Sequence, residues 1–431
     1  MYAASRPAAS PRRILLLGAD MAGLGAARRL HDAGVDVSVI EARNRIGGRT
    51  FTSTLWPDLP VDMGASWIHG TTGNPVTDLA AEVGATWTAT SYMRSVSLAE
   101  DGKPVDFQRA VPRAFDLLEM ACNGVTGCGP DVSLQAAVRA TPQWKRLTAQ
   151  DKRMFRAVFN TRIEHEYSGD WSRLSARSFD DGHDLPGDEA VIDRGYGPLV
   201  ARLARGLDIR LDEAVTAIAP TTTGVTVTTA GGTHKADHAI VTLPLGILKS
   251  GTIRLAEPLA GDRQRAIDRL EMGLLNKCWL RFDRVFWPPQ VDWIDYLGPV
   301  EGLWANWLSG MPGTGQPLLV GFNAAAVAEQ METLDDRATI AAATDALRAM
   351  FGTGIPDPQG GQVTRWRQDP FARGSYSFNA VGSSTLDRRA LFGSDWQGRL
   401  IFAGEASSHD HPGTAHGALM TGRAAALALA R

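Results

Sequence analysis

"RRILLLGADMAGLGAARRL", residues 12–30, is the stretch on which the reading of the fold turns. "ILLLGA" is a short unbroken apolar run, the pattern of a strand buried on both faces of a parallel sheet. "AGLGAARRLHDAG" reads as a helix closing at Gly34, and "VDVSVIEA" as a second strand ending in Glu41. Gly18 and Gly23 fit the outer positions of a G-x-G-x-x-G turn, which seats a dinucleotide pyrophosphate on a helix N-terminus. Glu41 stands where a carboxylate accepts from ribose hydroxyls. The middle position is Asp20, whose carboxylate adds bulk and like charge beside a phosphate. It turns to solvent, weakens the site or abolishes it; the expectation is a working but weakened site.

The bulk figures bound the rest. A chain of 431 residues is long enough for two or three domains. Its 44% hydrophobic and 21% charged content is that of an ordinary globular protein. A net charge of −3 argues against nucleic acid or anionic lipid as partner, since both favour a strongly basic face. No stretch is apolar for long enough to span a membrane. Cys122, Cys128 and Cys278 form no C-x-x-C pair, so neither a zinc site nor a disulfide framework is indicated. His409, His411 and His416 do not have a ligand spacing, so no metal is expected. Residues 1–11 are small and polar and read as a disordered tail. Arg12-Arg13 before an apolar run has the look of an export signal, but "ILLLGA" is needed as the first strand, which favours a cytoplasmic chain.

"EARNRIGGRTFT" continues from Glu41 with two glycines that admit close backbone approach and with Arg49, which can reach a phosphate or carbonyl. Together with the opening stretch this resembles the N-terminus of the flavin-containing amine oxidase family. The resemblance recurs in "VDMGASWIHGTTGNP" (61–75), "GLLNKCWLRFDRVFWP" (273–288), "RWRQDPFARGSYSF" (365–378) and "LIFAGEASSHDHPGTAHGALMTGRAAA" (400–426), in the family order and nearest the polyamine oxidase branch. It implies an α/β protein with a Rossmann-like FAD-binding domain in three pieces, 12–85, 190–250 and 385–431. An interleaved α+β substrate-binding domain takes 86–189 and 251–384. The alternating strands of 207–244 and the apolar "RLIFAGEA" fit that division.

The resemblance also implies site residues. Cofactor contacts fall on Gly18, Ala19, Gly23, Glu41, Ala42, Arg43, Gly48, Arg49, Gly64, Ala65, Ser66, Trp67, Val215, Trp366, Gly404, Glu405, Thr414 and Ala415. Val215 would meet the adenine, Glu405 the ribityl–pyrophosphate, and Thr414 and Ala415 the isoalloxazine; Glu405 otherwise reads as a surface N-cap. No cysteine lies in the C-terminal block, so FAD would be non-covalent. Lys277 leads into the strand-like "CWLRF"; it either snorkels to solvent or, by resemblance, holds a water beside flavin N5. Tyr376 and His411 match the pair flanking the substrate amine. Histidine there departs from the usual second aromatic wall and brings a group that ionises near neutral pH. Glu164 and Glu166 in "RIEHEYSG" read as tunnel acids or solvated surface acids, sharing one face if the segment is a strand. His69 reads as a tunnel wall or a core histidine.

The expected activity is oxidation of a small-molecule amine, a polyamine or a relative of one, to an imine by hydride transfer. Hydrolysis gives aldehyde plus amine, and O2 returns the flavin to its oxidised form with hydrogen peroxide as product. One alternative is an L-amino-acid oxidase, which needs a buried arginine for a bidentate carboxylate contact, with Arg162, Arg367 and Arg373 as candidates. Another is a flavin-free relative with Asp20 as the lesion. Oligomeric state is not legible.

Overall fold

The computed structural model describes residues 12–125 and 129–429. The expected tail and Cys128 lie outside these. Two six-stranded sheets organise the chain. The first has the order Gly393–Asp395, Leu400–Phe402, His238–Val241, β1 (Arg13–Leu17), β2 (Asp36–Ile40), Asp208–Arg210. Every neighbouring pair is parallel except the first. β1 is central, and its burial explains the unbroken apolar run. Ile14 and Leu16 pack under the helices, whereas Leu15 and Leu17 meet Ile218 and Val227 of a smaller four-stranded sheet.

Helix α1 (Met21–Asp32) returns from β1 to β2 and lies against the C-terminal helix Ala415–Leu429. The two approach so closely that a Cβ on Gly422 would fall 2.0 Å from the Ala22 carbonyl oxygen. The chain leaves the first sheet after β2, returns at Asp208, leaves again after Val241 and returns at Gly393.

The second sheet runs Gly360–Val363, Leu275–Arg281, Leu318–Ala324, Asn306–Ser309, Trp293–Leu297, Ser95–Ala99. One face, with Cys278 and Leu280, packs on the helix Asp336–Phe351 through Ala343 and Leu347. Period-two alternation sends Lys277 and Trp279 to the other face, with Trp293 and Phe322. A helical layer formed by Phe107–Asn123, Leu134–Ala140 and Ala149–Phe159 completes this half. No helix among the described residues is long and apolar enough to cross a membrane.

Candidate active site

A cavity of about 700 Å³ lies between the two sheets. Thr242 and Ala403, just past the C-terminal ends of first-sheet strands, form one wall. Lys277, Trp293 and Phe322 of the second sheet form the other. Arg49, Gly64, Ala65, Ser66, Trp67, Trp366, Gly404, Glu405, Thr414 and Ala415 all line it.

The remaining expected cofactor contacts lie elsewhere. Gly18, Ala19, Gly23, Glu41, Ala42, Arg43 and Gly48 are outside the lining, in the turns behind it. Glu41 is buried and already accepts from two backbone amides, Ala19 N at 2.8 Å and Arg43 N at 2.9 Å. It thereby ties the end of β2 to the β1–α1 turn. Gly23 is required by packing: a Cβ there would sit 1.9 Å from the Gly18 carbonyl oxygen. Arg43 is held by both oxygens of Asp369, at 2.6 and 2.7 Å. Val215 does not reach the cavity, because its strand, Val215–Pro220, belongs to the four-stranded sheet.

Glu405 is buried at the inner end. Arg49 pairs with one carboxylate oxygen at 2.8 Å, and Ser377 Oγ donates to the other at 2.6 Å. Burial opposes the charge, but Arg49 and these hydrogen bonds prevail and hold its pKa below the usual glutamate value. It is therefore a buried anchor and not a surface N-cap. Arg388, missed by sequence reasoning, lies beneath it and donates to Asn379 Oδ1 and Ser377 Oγ, each at 2.8 Å.

Lys277 does not snorkel to solvent. It is 5% exposed, and its ammonium donates to Gly64 O at 2.6 Å, Ser66 Oγ at 2.6 Å and Asp62 O at 3.2 Å. Burial pushes its pKa down to about 8, against the pull of the Asp62 carboxylate. Around it stand aromatic rings: Trp67 stacks on Trp293 at 5.8 Å, Tyr92 on Trp293 at 4.5 Å, and Phe322 lies 6.0 Å from Trp67. Sequence reasoning singled out Trp67 in this group and not Tyr92, Trp293 or Phe322.

Tyr376 lines the cavity and its hydroxyl donates to the His165 carbonyl. His411 is present as well, with Nδ1 at 2.8 Å from the His183 carbonyl oxygen and its ring 4.8 Å from that of His416. Burial, helped by His69 and His411, pushes the His416 pKa down to about 3.

The two glutamates of "RIEHEYSG" separate. Their segment is helical, a π-turn Asn160–Glu164 followed by the turn His165–Tyr167, so the shared face expected of a strand does not form. Glu164 is buried away from the cavity, bonded to Asn160 Nδ2 at 2.7 Å, Trp171 N at 3.1 Å and Arg156 at 3.4 Å. It is a structural acid. Glu166 faces the cavity, and with Asp180, Asp184 and Glu189 it forms an acidic group there. His69 joins this group, with Nδ1 2.7 Å from Glu189 Oε2. Burial opposes its charge, yet the Glu189 bond and the charges of Glu166, Glu189 and Asp184 raise its pKa to about 9. The signal for the added acids was the dense run "DDGHDLPGDE" at 180–189.

Comparison with known proteins gives the family. The pattern described as flavin containing amine oxidoreductase matches residues 21–116 and 106–430. The chain belongs to the flavin-containing amine oxidase family. It is similar to "Polyamine oxidase 4" of Oryza sativa subsp. japonica, 34% identical over 98% of this chain and 89% of that one. "Polyamine oxidase 2" of Arabidopsis thaliana is 33% identical over 96% and 87%. "Lysine-specific histone demethylase 1 homolog 3" of Oryza sativa subsp. indica is 33% identical over 95% of this chain but only 53% of its own length. Membership makes the chain a flavin-dependent amine oxidoreductase with FAD as cofactor.

Proposed function

We propose that the chain oxidises a polyamine, or an amine with a second cationic group, to an imine that water splits into aldehyde and amine, with O2 reduced to hydrogen peroxide. The observation that carries this reading is the pairing within one cavity of an aromatic wall beside Lys277 with the carboxylates of Glu166, Asp180, Asp184 and Glu189. The plant polyamine oxidases above support the same substrate class.

The residues suit FAD in a Rossmann-like half made of 12–85, 190–250 and 385–431. Gly23 lets α1 pack tightly on the turn after β1, which brings the N-terminus of α1, capped by Asp20, to the cavity where Arg49 also lies. Asp20 is the one group at odds with a phosphate. When bound, FAD supplies the acceptor for the hydride and the route of two electrons to O2. Gly404, Glu405, Thr414 and Ala415 would hold it from the C-terminal block.

The protein's part is binding, orientation and control of water. Trp67, Tyr92, Trp293, Phe322 and Tyr376 form apolar walls that exclude water and favour a neutral reacting amine. The acidic group holds a distal ammonium. Lys277 holds a positive charge in the cavity wall beside Trp67, and with FAD bound it would favour the approach of O2. His411 replaces one aromatic wall and fixes its ring through the His183 carbonyl.

None of the three arginines named for the amino-acid reading lines this cavity. Arg162 pairs with Asp295 at 3.1 Å and is outside the cavity lining, and Arg367 and Arg373 line a separate cleft. Peroxide release measured over monoamines, diamines, triamines and L-amino acids tests the proposal. A triamine should be the best substrate, with Glu166→Gln and Glu189→Gln raising its KM. A monoamine or amino acid oxidised equally well, with no effect of either substitution, would overturn it.

A further inference from the structure

Asp20 does not turn away to solvent. It is the N-cap of α1, and Oδ1 accepts from Ala22 N at 2.8 Å and Gly23 N at 2.9 Å. These amides, with the positive end of the helix dipole, are the donors that a strand–turn–helix site offers to a phosphate. Asp20 also lines the cavity, and Gly48 closes over it: a Cβ on Gly48 would fall 3.0 Å from Asp20 Cβ. The carboxylate therefore occupies the cradle itself. Two charged groups face it, Arg49 from the loop after β2 and Glu41 from the end of β2. The first turn of α1 adds no acid, and Thr242, past the end of His238–Val241, is uncharged. Arg49 is engaged with Glu405, and among the described residues no cation forms an ion pair with Asp20.

We propose that Asp20 is a built-in competitor for the cofactor's pyrophosphate, so that loading of FAD takes up a proton at this side chain and weakens as pH rises. The inference rests on the pyrophosphate placement proposed above. Burial, only partly offset by the Gly23 amide and Arg49, already holds the Asp20 pKa at about 6. Below that pH the side chain is neutral and the phosphates meet no like charge. Above it the carboxylate is ionised, and binding must supply the proton. Uptake of one proton lowers affinity by up to about tenfold per pH unit above the pKa of the free protein. The same residue has an opposite role without the cofactor, since it satisfies two otherwise free helix amides.

The test is equilibrium titration of the full-length chain, freed of flavin, with FAD across about pH 5.5 to 8.5. Wild type is compared with Asp20→Asn, which keeps a capping oxygen without the charge, and with Asp20→Gly. The wild-type dissociation constant should rise at least about tenfold between pH 6 and 8. That of Asp20→Asn should stay near the wild-type low-pH value. Riboflavin, which lacks phosphates, should show no such dependence with any of the three. Asp20→Gly should bind FAD more tightly at pH 8 yet melt at a lower temperature than wild type when FAD is withheld. Equal pH dependence in wild type and Asp20→Asn, or none in either, overturns the inference and leaves the cofactor site standing. Failure of wild type and Asp20→Gly to bind FAD at any pH removes the pyrophosphate placement, and the inference with it.

Discussion

Lys277→Met separates the cost of a buried ammonium from its use. Methionine keeps the length of the side chain and removes the charge with its three donors. The acceptors left behind are Gly64 O, Ser66 Oγ and Asp62 O. Asp62 O keeps the Trp279 indole N–H at 3.0 Å and Gly64 O the Ser66 hydroxyl at 3.4 Å, so about one acceptor loses its donor, which costs about 1–3 kcal/mol. Against this stands the desolvation of the ammonium. A fall in pKa from 10.5 to about 8 corresponds to about 3 kcal/mol against the charged form at neutral pH. The opposing effects are of similar size, so stability at pH 7 should change by no more than about 2 kcal/mol. The pH dependence is the sharper test. Because the folded-state pKa is depressed, the full penalty is present below about pH 8, fades as pH rises toward 10.5, and is gone above that. Wild type should therefore gain about 3 kcal/mol on Lys277→Met over this window. Denaturant unfolding of both proteins near the two ends of the window, at one FAD concentration, reads the difference. A stability difference that does not move with pH refutes the buried charge. In the same variant, stopped-flow traces should show slower reaction of reduced flavin with O2 and little change in amine binding; an unchanged oxygen step would remove Lys277 from the mechanism.

Glu189→Gln should return the His69 titration from about 9 toward 6.5, seen in the imidazole proton resonances. With the folded-state pKa raised, the pairing stabilises the fold fully below pH 6.5 and is lost as pH rises through about 9, so the variant should differ most from wild type at the acid side. An unmoved His69 titration would sink the pairing. Gly23→Ala places a methyl 1.9 Å from the Gly18 carbonyl oxygen and 3.0 Å from Thr242 Oγ1. It should push α1 off β1, destabilise the chain by about 3 kcal/mol or more and abolish FAD retention; wild-type stability in calorimetry would contradict the close approach.

What the sequence discloses follows from how local the physical cause is. β1, α1 and β2 were legible because a two-sided burial pattern, a helix with its glycine stop and a terminal acid lie within one short stretch. Lys277 was legible as a cation in an apolar strand, which demands a partner. Its partners, Asp62, Gly64 and Ser66, sit more than two hundred residues earlier, and only the folded chain brings them to its ammonium. The acidic group was half legible. Glu166 reaches the cavity and Glu164 does not, because a helical turn, not a strand, carries them. Glu189 meets His69 across 120 residues, a pairing that no spacing rule contains. Val215 lies outside the cavity lining, as Glu41 and Arg43 do, and Glu213, two residues before it, bonds through its amide to the Glu41 carbonyl; spacing alone did not show that this strand starts beside the end of β2.

The distribution of charge within the cavity bears on which nitrogen reacts. Lys277 and the acidic group bound the same space with opposite signs. Two unit cations about 4 Å apart repel by roughly 4 kcal/mol at the effective dielectric of a partly buried site, so an ammonium beside Lys277 is driven to shed its proton. A hydride leaves carbon only when the adjacent nitrogen has a free lone pair, so this repulsion favours the reactive form. The acids of the same cavity, on the proposed reading, give a second, protonated nitrogen a counter-ion. A monoamine has no second nitrogen for the acids to hold. A substrate with two separated nitrogens satisfies both ends at once. On the proposed polyamine reading, kcat/KM for diamines of increasing length should pass through a maximum that Glu166→Gln and Glu189→Gln abolish, and a flat series would refute selection by the spacing of nitrogens.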